Sequence, residues 1–195
     1  MRTSLVFATN NQHKVDEIRF VIGPGFEIIT LKEAGIDIDI PEPHDTLEAN
    51  AAEKSQTIHR MTGRNCFSED TGLEVEALNG EPGVKSARYA DDTRDFQRNI
   101  DKLMHNLEGK SNRNARFRTV ISLILDDKEY QFEGICEGQI AGTQNGVQGF
   151  GYDPVFIPTG AGISFGEMTM GEKTKYSHRQ KAVTQLIAFL NNYYA

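Results

Sequence analysis

Between Arg116 and Asp126 every second residue, Phe117, Thr119, Ile121, Leu123 and Leu125, carries a side chain suited to burial, and the alternation resumes from Glu129 to Ile140. Successive side chains on a strand point to opposite faces, so this period of two commits the segment to a sheet. Asp126-Asp127-Lys128 is turn chemistry, and strands joined by so short a link are antiparallel. The chain must therefore accommodate a long antiparallel hairpin. Its first thirty residues demand the opposite pairing. Ser4 to Thr9 reads as a buried strand and Asn10-Asn11-Gln12 as a polar turn. A helix follows with Val15, Ile18, Val21 and Ile22 on one face, stopped by Gly23-Pro24-Gly25, and Phe26 to Thr30 is a second strand. That is a β-α-β unit, whose strands run parallel. Parallel and antiparallel pairing in one chain predicts an α/β fold, a mixed twisted sheet flanked by helices.

The remaining elements follow from punctuation. Residues 36–45 contain Pro41 and Pro43 and read as extended chain ending in a loop. Thr46 to Met61 is an Ala-rich helix closed by Gly63. Asn65 to Asp70 is a small buried strand running into a polar turn, Glu69-Asp70-Thr71-Gly72. Gly80 to Gly83, Gly142 to Gly151 and Gly160 to Gly162 are loops. An amphipathic helix begins near Thr93, with Phe96, Ile100, Leu103 and Leu107 as its apolar face. The closing helix, from about Ser177, buries Ala182, Val183, Leu186, Ile187 and Leu190.

Composition narrows the class. A chain of 195 residues can bury roughly 70% of its unfolded surface and folds without metal or disulfide staples. Its net charge of −7 is the wrong sign for coating a nucleic acid backbone, yet leaves room for an anionic ligand at a local basic cluster. Cys66 and Cys136 are the two cysteines and form no C-x-x-C pair, which argues against a thiolate zinc site and fits a reducing cytoplasm. No apolar run approaches the ~20 residues of a membrane span, and the four-residue apolar patch at the N-terminus is too short for a secretory signal. A soluble, uncleaved chain without membrane or nucleic acid partners is expected.

Several segments carry possible chemistry. Thr9, Asn11 and Lys14 stand where a strand gives way to a helix, a place where free backbone N–H groups and the helix dipole favour phosphate; the same turn also serves as a plain solvated helix start. Adjacent Glu69 and Asp70 follow a buried strand, so one of them is expected to enter a common site with substrate phosphates and magnesium. Glu42, fixed between two prolines, is a second candidate ligand. Gly149-Phe150-Gly151-Tyr152-Asp153-Pro154 offers glycines for close approach, aromatic faces for stacking and a carboxylate to accept from ring N–H groups. Its aromatics serve equally well tucked into a core. Ser177-His178-Arg179 puts cations at a helix N-terminus, against the dipole, and so requires a compensating anion or acceptor.

Five segments, Thr9 to Lys14, Phe67 to Leu73, Gly83 to Tyr89, Gly149 to Pro154 and Ser177 to Arg179, resemble in order and spacing the motifs of the inosine triphosphate pyrophosphatase family, also called XTP/dITP diphosphatases. The resemblance spans nearly the whole chain. It implies a single bilobed domain over residues 1–195, elongated, with a central cleft, that forms a homodimer. It also implies magnesium-dependent cleavage of ITP, dITP and XTP to the monophosphate and pyrophosphate, clearing deaminated purines from the nucleotide pool. Carried over by position, Thr9, Asn11 and Lys14 match the phosphate-binding turn, and Glu42 matches a metal-binding glutamate. Asp70 matches the carboxylate that binds metal or activates water. Phe150, Asp153, Lys173, His178 and Arg179 match base-recognition positions, Thr71 and Tyr152 match further substrate-binding positions, and Ser86 and Arg88 match a motif placed in the cleft. Asn10 departs from the pattern, since many relatives carry glycine there. Two rivals remain at this level: a Maf-like pyrophosphatase acting on other nucleotides, and a nucleotide sensor without turnover. The purine-reading positions of the C-terminal third weigh against the first, and Glu42, Glu69 and Asp70 weigh against the second.

Overall fold

The structure, a computed structural model, describes residues 3–194. The chain forms two compact units, residues 1–70, 119–134 and 179–195, and residues 71–118 and 135–178. Two of its four crossings from one to the other, between Asp70 and Thr71 and between His178 and Arg179, fall beside residues singled out above.

Unit 1 contains β1 (Thr3–Phe7), α1 (Gln12–Val21), β2 (Phe26–Thr30) and α2 (Leu47–Thr62). The strands β3 (Cys66–Val75), β5 (Asn114–Leu125) and β6 (Lys128–Ile140) and the closing helix α5 (His178–Tyr193) each place part of their length in it. Its strand order is β2-β1-β3-β5-β6. The β-α-β expectation holds: β1 and β2 are parallel from Thr3↔Phe26 to Phe7↔Thr30, and β1 also runs parallel to β3. Alternation along β1 divides the core in two. Leu5 and Phe7 join Val15 and Ile18 of α1 and Ala182, Val183, Leu186 and Leu190 of α5. Val6 and Ala8 face the other way, with Ile58 of α2 and Ile40. Both sheet faces are thus covered, as parallel strands require. The helix α2 begins where Thr46 caps Ala49 N and ends at Gly63, whose left-handed backbone (φ 62°) closes the last turn. Asp126 and Asp127 make the hairpin turn with φ of 49° and 62°, the twist that suits a two-residue link.

Unit 2 contains β4 (Pro82–Gly83), α3 (Phe96–Asn106), β7 (Phe156–Pro158), α4 (Met170–Lys173) and the remaining parts of β3, β5 and β6. Here β4 pairs antiparallel with β3 (Leu73↔Gly83), and β7 with β6 (Gly138↔Pro158). Its core gathers Leu73, Val75, Ile100, Leu103, Leu107, Phe117, Phe156 and Phe165.

Two sequence expectations need correction. Residues 69–72 are not a turn, since β3 continues through them to Val75. A Cβ on Gly72 would lie 2.6 Å from the Gly83 carbonyl oxygen, so this glycine permits close strand approach where it suggested a bend. The helix expected near Thr93 starts at Phe96, capped by Asp95, and Phe96 is exposed while Ile100, Leu103 and Leu107 are buried. The alternating face of β5 is shared between two cores: Phe117 belongs to unit 2, and Ile121, Leu123 and Leu125 to unit 1. Among the described residues no helix is long and apolar enough to cross a membrane.

Candidate functional site

In unit 1 the turn after β1 is built by side chains that cap α1. Thr9 Oγ1 accepts from Asn11 N at 3.2 Å, and Asn11 Oδ1 accepts from Lys14 N at 3.4 Å. Asn10, the departure from the family pattern, donates through Nδ2 to the Ile38 carbonyl at 2.8 Å and does not take up a left-handed backbone, so nothing there demands glycine. Lys14 lies in the first turn and reaches Glu69, Nζ to Oε1 3.0 Å.

Because β3 continues through Glu69 and Asp70, the two carboxylates leave the strand on opposite faces and take different hydrogen-bond partners. Glu69 faces Lys14 and Arg179. Arg179 donates from Nε to Glu69 Oε2 at 2.7 Å and from Nη2 to Oε1 at 3.0 Å, a bidentate fork, and its Nη1 pairs with Glu17. This is the anion that a cation at the start of α5 requires. Burial pushes the Glu69 carboxyl up, but the charges of Arg179 and Lys14 outweigh it and hold the group below the usual carboxylate range. Asp70 faces Lys54, whose Nζ donates to Asp70 Oδ1 at 3.1 Å and to Glu42 Oε1 at 2.6 Å. Here burial prevails: it raises the Asp70 carboxyl despite Lys54 and Lys14, with Glu42 pushing the same way. Burial lowers the Lys54 ammonium, and the two carboxylates outweigh that, leaving it raised. Asp70 Oδ2 is buried and has no hydrogen-bond partner among the described residues.

In unit 2 a second group forms around Asp153. Its Oδ2 accepts from Phe150 N at 2.9 Å and from Lys173 Nζ at 2.6 Å. Gly149 has φ 73°, and a Cβ there would collide with the Asp153 carboxylate. The Lys173 ammonium stands 5.2 Å from the ring centres of both Phe150 and Phe165, within cation–π range. The His178 ring stacks on Phe117, centroids 4.7 Å apart and planes 15° from parallel. Tyr152 is buried and donates its hydroxyl to the Ser86 carbonyl at 2.8 Å. Ser86 Oγ in turn accepts from Leu73 N at 2.8 Å. Ser86 therefore links Tyr152 to Leu73 of β3.

The family model of the Ham1 family matches residues 5–189. The chain belongs to the Ham1 family. It is 50% identical over 187 residues to the dITP/XTP pyrophosphatase of Porphyromonas gingivalis, covering 95% of this chain and 96% of that one. It is 46% identical to the dITP/XTP pyrophosphatase of Flavobacterium psychrophilum, covering 96% and 99%. The solved structure of the Staphylococcus aureus Ham1 protein superposes with a TM-score of 0.88 at 37% identity, covering 97% of this chain and 99% of that one. That of a HAM1 protein from Coxiella burnetii superposes with a TM-score of 0.89 at 32% identity, covering 97% and 99%.

For this Ham1 family chain the sequence expectations separate by unit. Lys14, Glu42, Asp70 and Arg179 meet partners in unit 1; Phe150, Tyr152, Asp153, Lys173 and His178 meet theirs in unit 2. Arg179, grouped with Lys173 and His178 at the sequence level, spends its fork on Glu69 and Glu17. Lys54 and Glu17 were missed. A signal for Lys54 existed: it lies on the stripe of α2 shared by Leu47, Ala51 and Ile58, all buried, where a lysine must be paired. Among the described residues no three His, Cys, Asp or Glu side chains gather to hold a metal ion by themselves. Glu42 and Asp70 nevertheless suit magnesium, which takes one or two protein carboxylates with phosphates and water. Lys54 holds both of them, and it occupies Oδ1 of Asp70, leaving Oδ2 as the oxygen without a hydrogen bond.

Proposed function

We propose that this chain hydrolyses the non-canonical purine nucleoside triphosphates dITP, XTP and ITP to the nucleoside monophosphate and pyrophosphate. The carrying observation is the pair of buried networks on either side of β3, one ending in Lys14 on the phosphate turn and the other in a partnerless Asp70 oxygen. Thr9, Asn11 and Lys14 bind phosphate at the N-terminus of α1. Lys54 and Arg179 hold Asp70 and Glu69 in place. Asp70, with its carboxyl raised by burial, takes the proton of the water that attacks the α-phosphorus, and it would also help to hold a magnesium ion. The α–β anhydride bond then breaks, and pyrophosphate leaves with the bridging oxygen. Magnesium, held by Glu42 and Asp70, would supply neutralisation of the charge on the leaving group.

Phe150, Asp153, Lys173 and His178 read the base, and Thr71 on β3 and Tyr152 belong to the substrate site as further binding residues. Hypoxanthine and xanthine present an acceptor at position 6 where adenine presents an amino group, and donors such as Lys173 distinguish the two. The homodimer, the cytoplasmic setting and the absence of nucleic acid or membrane partners belong to the same reading. Incubating the purified chain and magnesium with dITP, XTP, ITP, ATP and GTP, and identifying phosphorus products, tests it. Pyrophosphate should appear from the first three, with no early orthophosphate. Orthophosphate with a diphosphate product, or equal rates on ATP and ITP, would overturn it, and light scattering checks the dimer.

A further inference from the structure

We propose that Phe117 is a positioning residue for base recognition, fixing the plane in which His178 presents its ring nitrogens. The proposal deepens the reading above and rests on His178 as a base-recognition residue. Imidazole N–H and lone-pair directions lie in the ring plane, so a group that fixes the plane also fixes which partner atoms the nitrogens can meet. Phe117 supplies a flat surface for that purpose: its ring lies 4.7 Å from the His178 ring and within 15° of parallel, and both residues are buried. Phe117 is itself seated by Phe156, ring centres 4.7 Å apart and tilted 60°, and by Phe165 at 6.3 Å. Phe165 carries the Lys173 ammonium 5.2 Å above its ring. One aromatic cluster thus seats two residues assigned to the base, and within it the stack on His178 belongs to Phe117. A purely structural phenylalanine would contribute volume, and any apolar neighbour could replace it; a positioning one contributes a plane.

The test compares Phe117→Leu, which removes the plane, Phe117→Tyr, which keeps it, and Leu103→Ala, a loss of buried volume in the same core, on α3. Phe117→Met serves as a second plane-free variant should leucine prevent folding. Proton NMR of the His178 ring, assigned by its disappearance in His178→Gln, is recorded alongside kcat and KM for dITP and ATP. In the parent protein the His178 ring protons should lie upfield of those of the other four histidines, because they sit over the face of an aromatic ring. Phe117→Leu should abolish that displacement and narrow the dITP-over-ATP ratio of kcat/KM roughly three- to tenfold, through KM more than kcat. Phe117→Tyr should preserve both, and Leu103→Ala should lower the melting temperature while leaving the resonances and the ratio in place.

Resonances that stay put in Phe117→Leu, a ratio unmoved when they shift, or an equal loss of ratio in Leu103→Ala would overturn the proposal. If the parent releases no pyrophosphate from dITP while the resonances behave as expected, the activity reading fails and the assignment of the ring plane to Phe117 stands.

Discussion

Unit 1 and unit 2 each bury a lysine, and they hold it by different means. Lys54 is clamped between two carboxylates, Glu42 and Asp70. Lys173 pairs with Asp153 and lies beside the rings of Phe150 and Phe165. The first arrangement concentrates charge and leaves one oxygen without a hydrogen bond; the second offers flat faces and one fixed carboxylate. Phosphoryl transfer needs charge placed against developing charge, and base recognition needs planes and directed donors. The difference between the two lysine sites matches that division of labour.

The largest expected effect breaks the charged side. Asp70→Asn retains the shape of the side chain while removing its negative charge and proton-accepting ability, and Lys54 keeps Glu42 as a partner. Turnover should fall on the order of 100- to 10,000-fold, with KM changing less. The protein should still melt cooperatively, because burial already disfavours the ionised form of Asp70. Near-normal turnover would remove Asp70 from the chemistry, and loss of the melting transition would make it structural.

Replacing each buried lysine with methionine sharpens the comparison. Lys54→Met strands two carboxylates near one another and should cost about 3–5 kcal/mol of stability. Lys173→Met leaves Asp153 with the Phe150 N–H it already accepts, and the thioether can still pack on the two rings. Its cost should be smaller, about 1–3 kcal/mol. Urea unfolding of the two variants measures both, and equal losses would erase the distinction drawn between the sites.

Legibility in the sequence followed the same line. Periodic features were readable because burial imposes them locally: β2 spans Phe26–Thr30 as expected, α2 starts after Thr46 and stops at Gly63, and the hairpin turns at Asp126-Asp127. The polar segment Glu69 to Gly72 was misread because acids and glycine signal a turn when nothing is known of their partners. Those partners, Lys14, Lys54 and Arg179, are distant in sequence, and Gly72 answers to a β4 backbone that no local pattern reveals. Residues around Asp153 were easier to find, since Gly149 to Asp153 is a contiguous motif. Gly72→Ala tests the corrected reading. In a turn open to solvent it would be near neutral, whereas against Gly83 it forces a backbone shift and should cost about 1–3 kcal/mol in thermal unfolding.

The smallest expected effect is a slope. Glu69 has an ordinary value of 4.5 and is held below it in the folded protein by Arg179 and Lys14, against the upward push of burial. As pH falls beneath 4.5 the unfolded chain takes up a proton at this position before the folded one does, so Glu69 contributes stability that is present above that value and is lost in acid. The loss amounts to about 1.4 kcal/mol per pH unit once the unfolded carboxyl is mostly protonated, which puts the contribution lost by pH 3.5 near that size. Other acids of the chain titrate in the same window, so the informative quantity is the difference between the parent and Glu69→Gln. Between pH 5 and 3.5 the parent should lose more stability to urea than the variant, which cannot titrate at that position and starts from a lower value because Arg179 has lost its fork. Parallel slopes would mean that Arg179 and Lys14 do not hold Glu69 ionised, and the charged side of the comparison would then rest on Lys54 with its two carboxylates.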